Sequence, residues 1–140
     1  MGVHEVKAEG EMRKAKMRRA VFLDRDGVIN RALARDSKPY PPRTLGEFEI
    51  LPGVPEACAK LKDAGYLLVV ATNQPDVGRG TLKQETVETI HAEMRRQLPL
   101  DGVEVCFHPG QGLSDCECRK PKPGMLLRAE IGRASCRARV

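Results

Sequence analysis

Apolar runs and helix-spaced stripes alternate along the middle of the chain. Ala20-Val21-Phe22-Leu23 is a short run of buried-strand type, stopped by Asp24-Arg25-Asp26-Gly27. Tyr66 to Ala71 is continuously apolar and partly β-branched, the pattern of a strand covered on both faces in a parallel sheet, and it ends at Thr72-Asn73-Gln74-Pro75. Val103 to Phe107 reads as a third strand. Between the first two runs, Pro52-Gly53-Val54-Pro55 opens a helix in which Val54, Ala57, Cys58 and Leu61 recur at helical spacing until Gly65 closes it. Between the second and third, Leu82, Val87, Ile90, Met94 and Leu98 form a helical stripe, and Thr81 with Gln84 has the spacing of a capping box. Residues 36–52 hold Pro39, Pro41, Pro42 and Pro52 and predict no regular element, only a loop over the sheet edge or the mouth of a site. Strand, helix, strand, helix, strand predicts right-handed βαβ units, hence a doubly wound, Rossmann-like α/β fold on a parallel sheet.

With 140 residues the chain has room for one domain. The pattern places it at residues 20–130, behind a basic leader over 1–19 without a clear apolar face. No apolar run approaches the ~20 residues of a membrane span, and no secretory signal is visible, so the reading is a cytoplasmic protein without a membrane partner. The net charge of +5 suggests nucleic acid only until it is divided along the chain. Residues 1–20 and 131–140 together contribute +6, and residues 21–130 sum to −1. Basicity confined to the ends, with no Trp and five other aromatic residues, argues against a nucleic-acid partner.

The polar clusters all follow strands, and parallel strands bring their carboxyl ends to one edge, where open α/β sheets bind ligands. Asp24 and Asp26, two apart before Gly27, can supply a nucleophile toward phosphorus and a proton donor for a leaving oxygen; a polar turn is the plainer alternative. Thr72 and Asn73 can hold phosphoryl oxygens without adding charge, or simply form a turn. Lys120, beside Arg119 on a proline-stiffened segment, can neutralise a phosphoryl group; a solvated basic loop is the alternative. Cys106-x-His108, seven residues, then Cys116-x-Cys118 has the four donors of a structural tetrahedral zinc site that would hold the loop carrying Arg119 and Lys120; buried free thiols are the alternative. Cys58, on the apolar helix stripe, reads as core.

The segments AVFLDRDGVIN, LLVVATNQPDVGRG and CFHPGQGLSDCECRKPKPGML, in this order, resemble the haloacid dehalogenase-like (HAD) phosphatases. More narrowly they resemble their zinc-loop group, which includes histidinol-phosphate and D-glycero-D-manno-heptose 1,7-bisphosphate phosphatases. The resemblance covers roughly residues 20–128. It implies Asp24 as nucleophile, Asp26 as general acid and base, Thr72 and Asn73 as phosphate holders, Lys120 as charge stabiliser, Arg119 as a substrate contact and Arg79 near the phosphate entrance. It also implies magnesium on Asp24, on the Asp26 main-chain carbonyl and on an aspartate from a fourth motif. A small phosphorylated sugar is the implied substrate, with heptose bisphosphate favoured over histidinol phosphate; a catalytically silent zinc-bound fragment is the rival reading.

Where the family continues into a strand ending in Gly-Asp-x-x-x-Asp, residues 131–140 are basic, without acids and without a strand pattern. They read as a non-native tail on a fold incomplete at its C-terminus. In that family topology the missing strand lies beside the first, so Ala20–Leu23 is expected to be an exposed edge through which chains self-associate.

Overall fold

Along the two longest apolar runs, successive side chains enter two different cores. The computed structural model describes residues 19–110, 116–132 and 137–139. Strand β1 (Arg19–Leu23) sends Ala20 and Phe22 to one side and Val21 and Leu23 to the other. Strand β4 (Leu67–Asn73) does the same with Val69 and Ala71 against Leu68 and Val70, all four buried. This period-two alternation, apolar on both faces, is what a strand covered by helices above and below requires.

The element order is β1, β2 (Leu33–Arg35), β3 (Lys38–Tyr40), a 3-10 turn at Leu45–Glu47, α1 (Val54–Asp63), β4, α2 (Pro75–Gly78), α3 (Gln84–Gln97), β5 (Gly102–Cys106), α4 (Gly124–Gly132) and β6 (Arg137–Arg139). The main sheet runs β5-β4-β1-β6, every pair parallel. Cys58 of α1, with Met94 of α3 and Leu98 just beyond it, covers one face over Leu68 and Val70; Met125 and Ala129 of α4 cover the other over Phe22, Val69 and Ala71. This is the doubly wound parallel α/β arrangement that the alternation of elements predicts. The Asp101 carboxylate fastens its lower edge, accepting from the Leu68 N–H at 2.8 Å and pairing with Lys62 Nζ at 2.8 Å. Among the described residues no helix is long and apolar enough to cross a membrane.

Four expectations need correction. Residues 36–52 are not wholly irregular: β2 and β3 form an antiparallel hairpin closed by Asp36 and Ser37, both at positive φ (49° and 62°). Such a two-residue turn normally selects Gly, Asn or Asp, and Pro39 is tolerated because both strands of a two-stranded ribbon are edges. The capping box does not form. Lys83 is the N-cap of α3 without a side-chain bond, and the Thr81 hydroxyl donates to the Asp76 carbonyl instead. The third strand begins one residue earlier than the apolar pattern, at Gly102, and stops at Cys106, leaving Phe107 outside it.

The fourth correction concerns the far edge of β1. Arg137–Arg139 pairs there in parallel, Arg19 with Arg137, Ala20 with Ala138 and Val21 with Arg139. The tail therefore contains a strand, and at Ala20 and Val21 the main chain expected to form an open edge is paired within the chain. Main-chain pairing is indifferent to side-chain polarity, which is why a run without an apolar pattern can take that position. Arg19 lies in β1 and α4 ends at Gly132, whereas leader residues 1–18 lie outside the described residues.

Leu68 is fully buried between β4 and α1. Leu68→Ala is expected to lower the unfolding free energy by about 2–5 kcal/mol, through lost burial and a residual cavity. Urea denaturation of both proteins measures the difference.

Candidate functional site

Pairing β1 with β4 and β4 with β5 in parallel brings Asp24, Thr72, Asn73 and Cys106 to one edge of the sheet. The two aspartates there live in different surroundings. Asp24 is half exposed; its Oδ1 accepts from the Arg25 N–H at 2.8 Å and lies 2.8 Å from Lys120 Nζ. Asp26 is tied from four directions. Its Oδ1 accepts from Arg25 Nε (3.0 Å), Arg25 Nη2 (2.8 Å) and Asn30 Nδ2 (3.1 Å), and its Oδ2 from Gln74 Nε2 (2.9 Å). Gln74 also donates to the Thr72 hydroxyl oxygen at 2.9 Å, so the ends of β1 and β4 share one polar network.

Arg25, between the two aspartates, turns inward and is fully buried. Its remaining terminal nitrogen, Nη1, is 3.1 Å from Nε2 of His91 on α3. Burial, with the Arg25 guanidinium as the next contributor, pushes the His91 pKa down to about 4. The ring is therefore neutral near pH 7, and Nε2 is the acceptor.

Asn73 does not face the aspartates with a spare amide. Its Oδ1 accepts from the Lys120 N–H at 3.0 Å and its Nδ2 donates to the Lys120 carbonyl at 3.4 Å. Both ends of the amide thus clasp the main chain that carries Lys120. The two other predicted cations meet at the segment after β5. Arg79 Nη2 donates to the Pro109 carbonyl at 3.0 Å, and the Arg119 guanidinium lies over Gly110 so closely that a Cβ there would stand 2.7 Å from Cζ. Gly110 also has φ +69°, so glycine is required twice over. A Cβ on Gly78 would lie 2.3 Å from the Phe107 carbonyl oxygen, and glycine is what lets α2 press against this segment. Among the described residues, buried Nη1 of Arg119 has no hydrogen-bond partner.

Cys106, His108, Cys116 and Cys118 bring their donor atoms within 4.8 Å of one another. Cys118 Sγ is 3.0 Å from Cys106 Sγ and from His108 Nδ1, Cys106 Sγ is 3.4 Å from His108 Nδ1, and Cys116 Sγ is 3.9 Å from Cys106 Sγ. A tetrahedral zinc site with metal–sulfur bonds of about 2.3 Å has donor-to-donor edges of roughly 3.8 Å, so this set can hold a metal such as zinc with small adjustments. Burial first, and the Cys118 thiol second, raise the Cys106 pKa; metal binding would displace that proton. Magnesium asks for less. It is commonly bound by one or two carboxylates with waters and phosphate oxygens making up the rest, which the half-exposed Asp24 carboxylate with the Asp26 main-chain carbonyl can begin.

Arg25, Asn30, Gln74 and His91 complete the polar network of the site, and the sequence pattern points to none of them but Gln74. The one available hint was Gln74, two residues beyond Thr72 and thus on the same side of an extended chain.

No protein-family profile matches the chain. Individual relatives do. It is 45% identical over 112 residues to a D-glycero-beta-D-manno-heptose-1,7-bisphosphate 7-phosphatase of Pseudomonas putida, covering 76% of this chain and 59% of the relative. It is 39% identical over 125 residues to the Escherichia coli enzyme of that name (82% and 62%). To a D-glycero-alpha-D-manno-heptose-1,7-bisphosphate 7-phosphatase of Mycobacterium tuberculosis it is 42% identical over 112 residues (76% and 56%). Among solved structures, the D,D-heptose 1,7-bisphosphate phosphatase of B. bronchiseptica, complexed with magnesium and phosphate, aligns with TM-score 0.67 at 33% identity, covering 83% of this chain and 63% of that one. A HAD-like protein from Mesorhizobium loti aligns with TM-score 0.65 at 31% identity. The chain spans about three fifths of the length of these relatives.

Two measurements check the site. Metal analysis of the purified protein is expected to find one zinc per chain, lost when Cys116→Ser and Cys118→Ser are combined. Retention of zinc in the double variant would place the metal elsewhere. His91 makes the second case. Because its folded pKa lies near 4 and its unfolded value near 6.5, its contribution is fully present above about pH 6.5 and is lost as pH falls toward 4. The loss is about 3 kcal/mol, since one pKa unit corresponds to ~1.4 kcal/mol. Unfolding free energies at several pH values should fall less steeply over that window in His91→Gln.

Proposed function

The chain is homologous to heptose bisphosphate phosphatases of the HAD-like family over 76% of its length, and on that premise we propose that it hydrolyses the 7-phosphate of a D-glycero-D-manno-heptose 1,7-bisphosphate through an aspartyl-phosphate on Asp24. The observation that carries the reading is the unequal pair of carboxylates at the sheet edge: Asp24 is half exposed beside Lys120, and Asp26 is fixed by four hydrogen bonds. One carboxylate is free to attack and its neighbour is held to move protons.

In this mechanism a carboxylate oxygen of Asp24 attacks phosphorus, the bond to the sugar oxygen breaks, and Asp26 gives that oxygen a proton. Water then attacks the aspartyl-phosphate, Asp26 takes the water's proton, and Asp24 is released with inorganic phosphate. As arranged, Asp26 accepts hydrogen bonds as a carboxylate should when it receives a proton; donating one requires the protonated form and the loosening of one contact. Lys120 neutralises charge that builds on the phosphoryl oxygens, and its place is set by the Asn73 amide. The Thr72 hydroxyl, already joined to Gln74, supports the phosphoryl pocket. In this reading Arg119 and Arg79, which meet at the segment after β5, contact the rest of the sugar phosphate. Magnesium, held by Asp24 and the Asp26 carbonyl, would supply charge neutralisation of the phosphoryl group.

A sugar phosphate suits a domain whose residues 21–130 sum to −1 better than a nucleic acid does. Placement in the cytoplasm follows as part of the same proposal. A second reading is favoured by the finding that, among the described residues, no third acid joins Asp24 and Asp26 in a metal-holding group. In that reading the chain binds metal and phosphate without turning over.

Phosphate release from heptose 1,7-bisphosphate, with and without magnesium, decides between them. Hydrolysis is expected to require magnesium and to exceed that of histidinol phosphate. Asp24→Asn is expected to lower the rate by several powers of ten while binding of a phosphate analogue persists. Retention of more than about a tenth of the activity, a loss under ~1.4 kcal/mol, would remove Asp24 from the covalent step.

A further inference from the structure

We propose that His91 is a positioning residue for the acid–base carboxylate, acting through Arg25: its Nε2 accepts from the guanidinium and so fixes how Arg25 grips Asp26. The proposal rests on the phosphatase reading above and extends it to a helix remote from the strand ends.

The geometry makes a third support necessary. Arg25 Nε and Nη2 both donate to the same oxygen, Asp26 Oδ1, at 3.0 and 2.8 Å. A guanidinium that engages both oxygens of a carboxylate is locked in plane by two separate bonds. Here both bonds converge on one atom, about which the guanidinium can still pivot. The contact between Nη1 and His91 Nε2, at 3.1 Å, lies off that pivot and removes the freedom. It also occupies a donor that is fully buried and would otherwise be unpaired.

His91 can do this because of where α3 puts it. Val87, Ile90, His91 and Met94 are the buried positions of that helix, so the ring is held by the core that covers the sheet. An acceptor at Nε2 requires a neutral ring with its proton on Nδ1, and the depressed pKa agrees with it. With Oδ1 fixed in this way, Oδ2 is left to Gln74, and the carboxylate has one defined orientation toward the phosphoryl site. His91 itself touches neither aspartate through any of these bonds.

The experiment compares wild type, His91→Leu and His91→Gln. Leucine keeps bulk and removes the acceptor; glutamine offers an amide oxygen at a similar reach. In magnesium-dependent hydrolysis, His91→Leu is expected to lower kcat about 10–100-fold with KM within about twofold, as for a slightly misplaced catalytic group, and His91→Gln to recover most of it. A kcat for His91→Leu within twofold of wild type, or a Gln variant no better than Leu, would overturn the proposal. A second readout needs no turnover. In 15N spectra, the Arg25 Nε–H signal should be sharp and slowly exchanging in wild type and His91→Gln, and broadened or lost in His91→Leu with amide signals otherwise unchanged. The wild-type imidazole should show a bare Nε2 and a protonated Nδ1. Wild type inactive on heptose bisphosphate would refute the phosphatase reading, and the Arg25 and imidazole signals would then decide the His91 arrangement alone. A ring protonated on Nε2, or an Arg25 signal indifferent to leucine, overturns it, and the imidazole result stands even if His91→Leu does not fold.

Discussion

The double-faced burial of β4 is the constraint on which the rest of the molecule depends. Leu68 and Val70 belong to one core and Val69 and Ala71 to the other. A slip of one residue would send all four to the wrong layer, and at ~1.5–3 kcal/mol for each buried aliphatic side chain no alternative register competes. That fixed register, with Leu23 opposite Val70 and Asn73 opposite Cys106, sets which polar residues emerge together at the carboxyl edge. The Asp24 carboxylate is therefore placed by hydrophobic packing several residues below it.

Immediately beneath that edge the packing becomes polar, and the two aspartates diverge. Asp24 meets solvent and Lys120; Asp26 meets a buried guanidinium, an asparagine and a glutamine. Carboxylates two residues apart acquire different tasks through such differences in environment. A buried guanidinium is stable only when paired and hydrogen-bonded, and the carboxylate alone leaves one of its nitrogens over. The site and the α3 face are consequently one structure. Removing either would strand a charge in the interior.

The sheet, three of its four strands and the Cys/His cluster were legible because their signals are local: continuous apolar runs, a stop after each, and donor residues at short spacing. Asp24, Asp26, Thr72 and Lys120 could be located for the same reason. What escaped notice depends on distant partners. Arg25 in a turn reads as a solvated charge, and only a histidine 66 residues away makes its inward orientation reasonable. Asn73 offers the same amide to a phosphate or to a main chain, and only the return of the chain at Lys120 selects the latter. The hairpin was hidden by Pro39 and by a turn lacking glycine, and the fourth strand by arginines whose main-chain pairing the side chains do not announce.

The segment carrying Lys120 shows how groups distant in the chain set the place of one side chain. Ordering residues 116–122 costs about 1–2 kcal/mol per residue in backbone entropy, on the order of 10 kcal/mol in all. Asn73 supplies two hydrogen bonds to that segment, worth about 1 kcal/mol each. Burial of Cys118 and of Met125 just beyond it adds a few more. The Lys120–Asp24 ion pair and main-chain bonds from Lys122 to Arg119 and from Gly124 to Glu117 act in the same direction. A structural zinc site contributes about 10–16 kcal/mol in small peptides. A metal held by Cys106 at the end of β5, by His108 just beyond it and by Cys116 and Cys118 would tie the segment to the sheet where Lys120 stands 2.8 Å from Asp24, and there it would serve position rather than reaction.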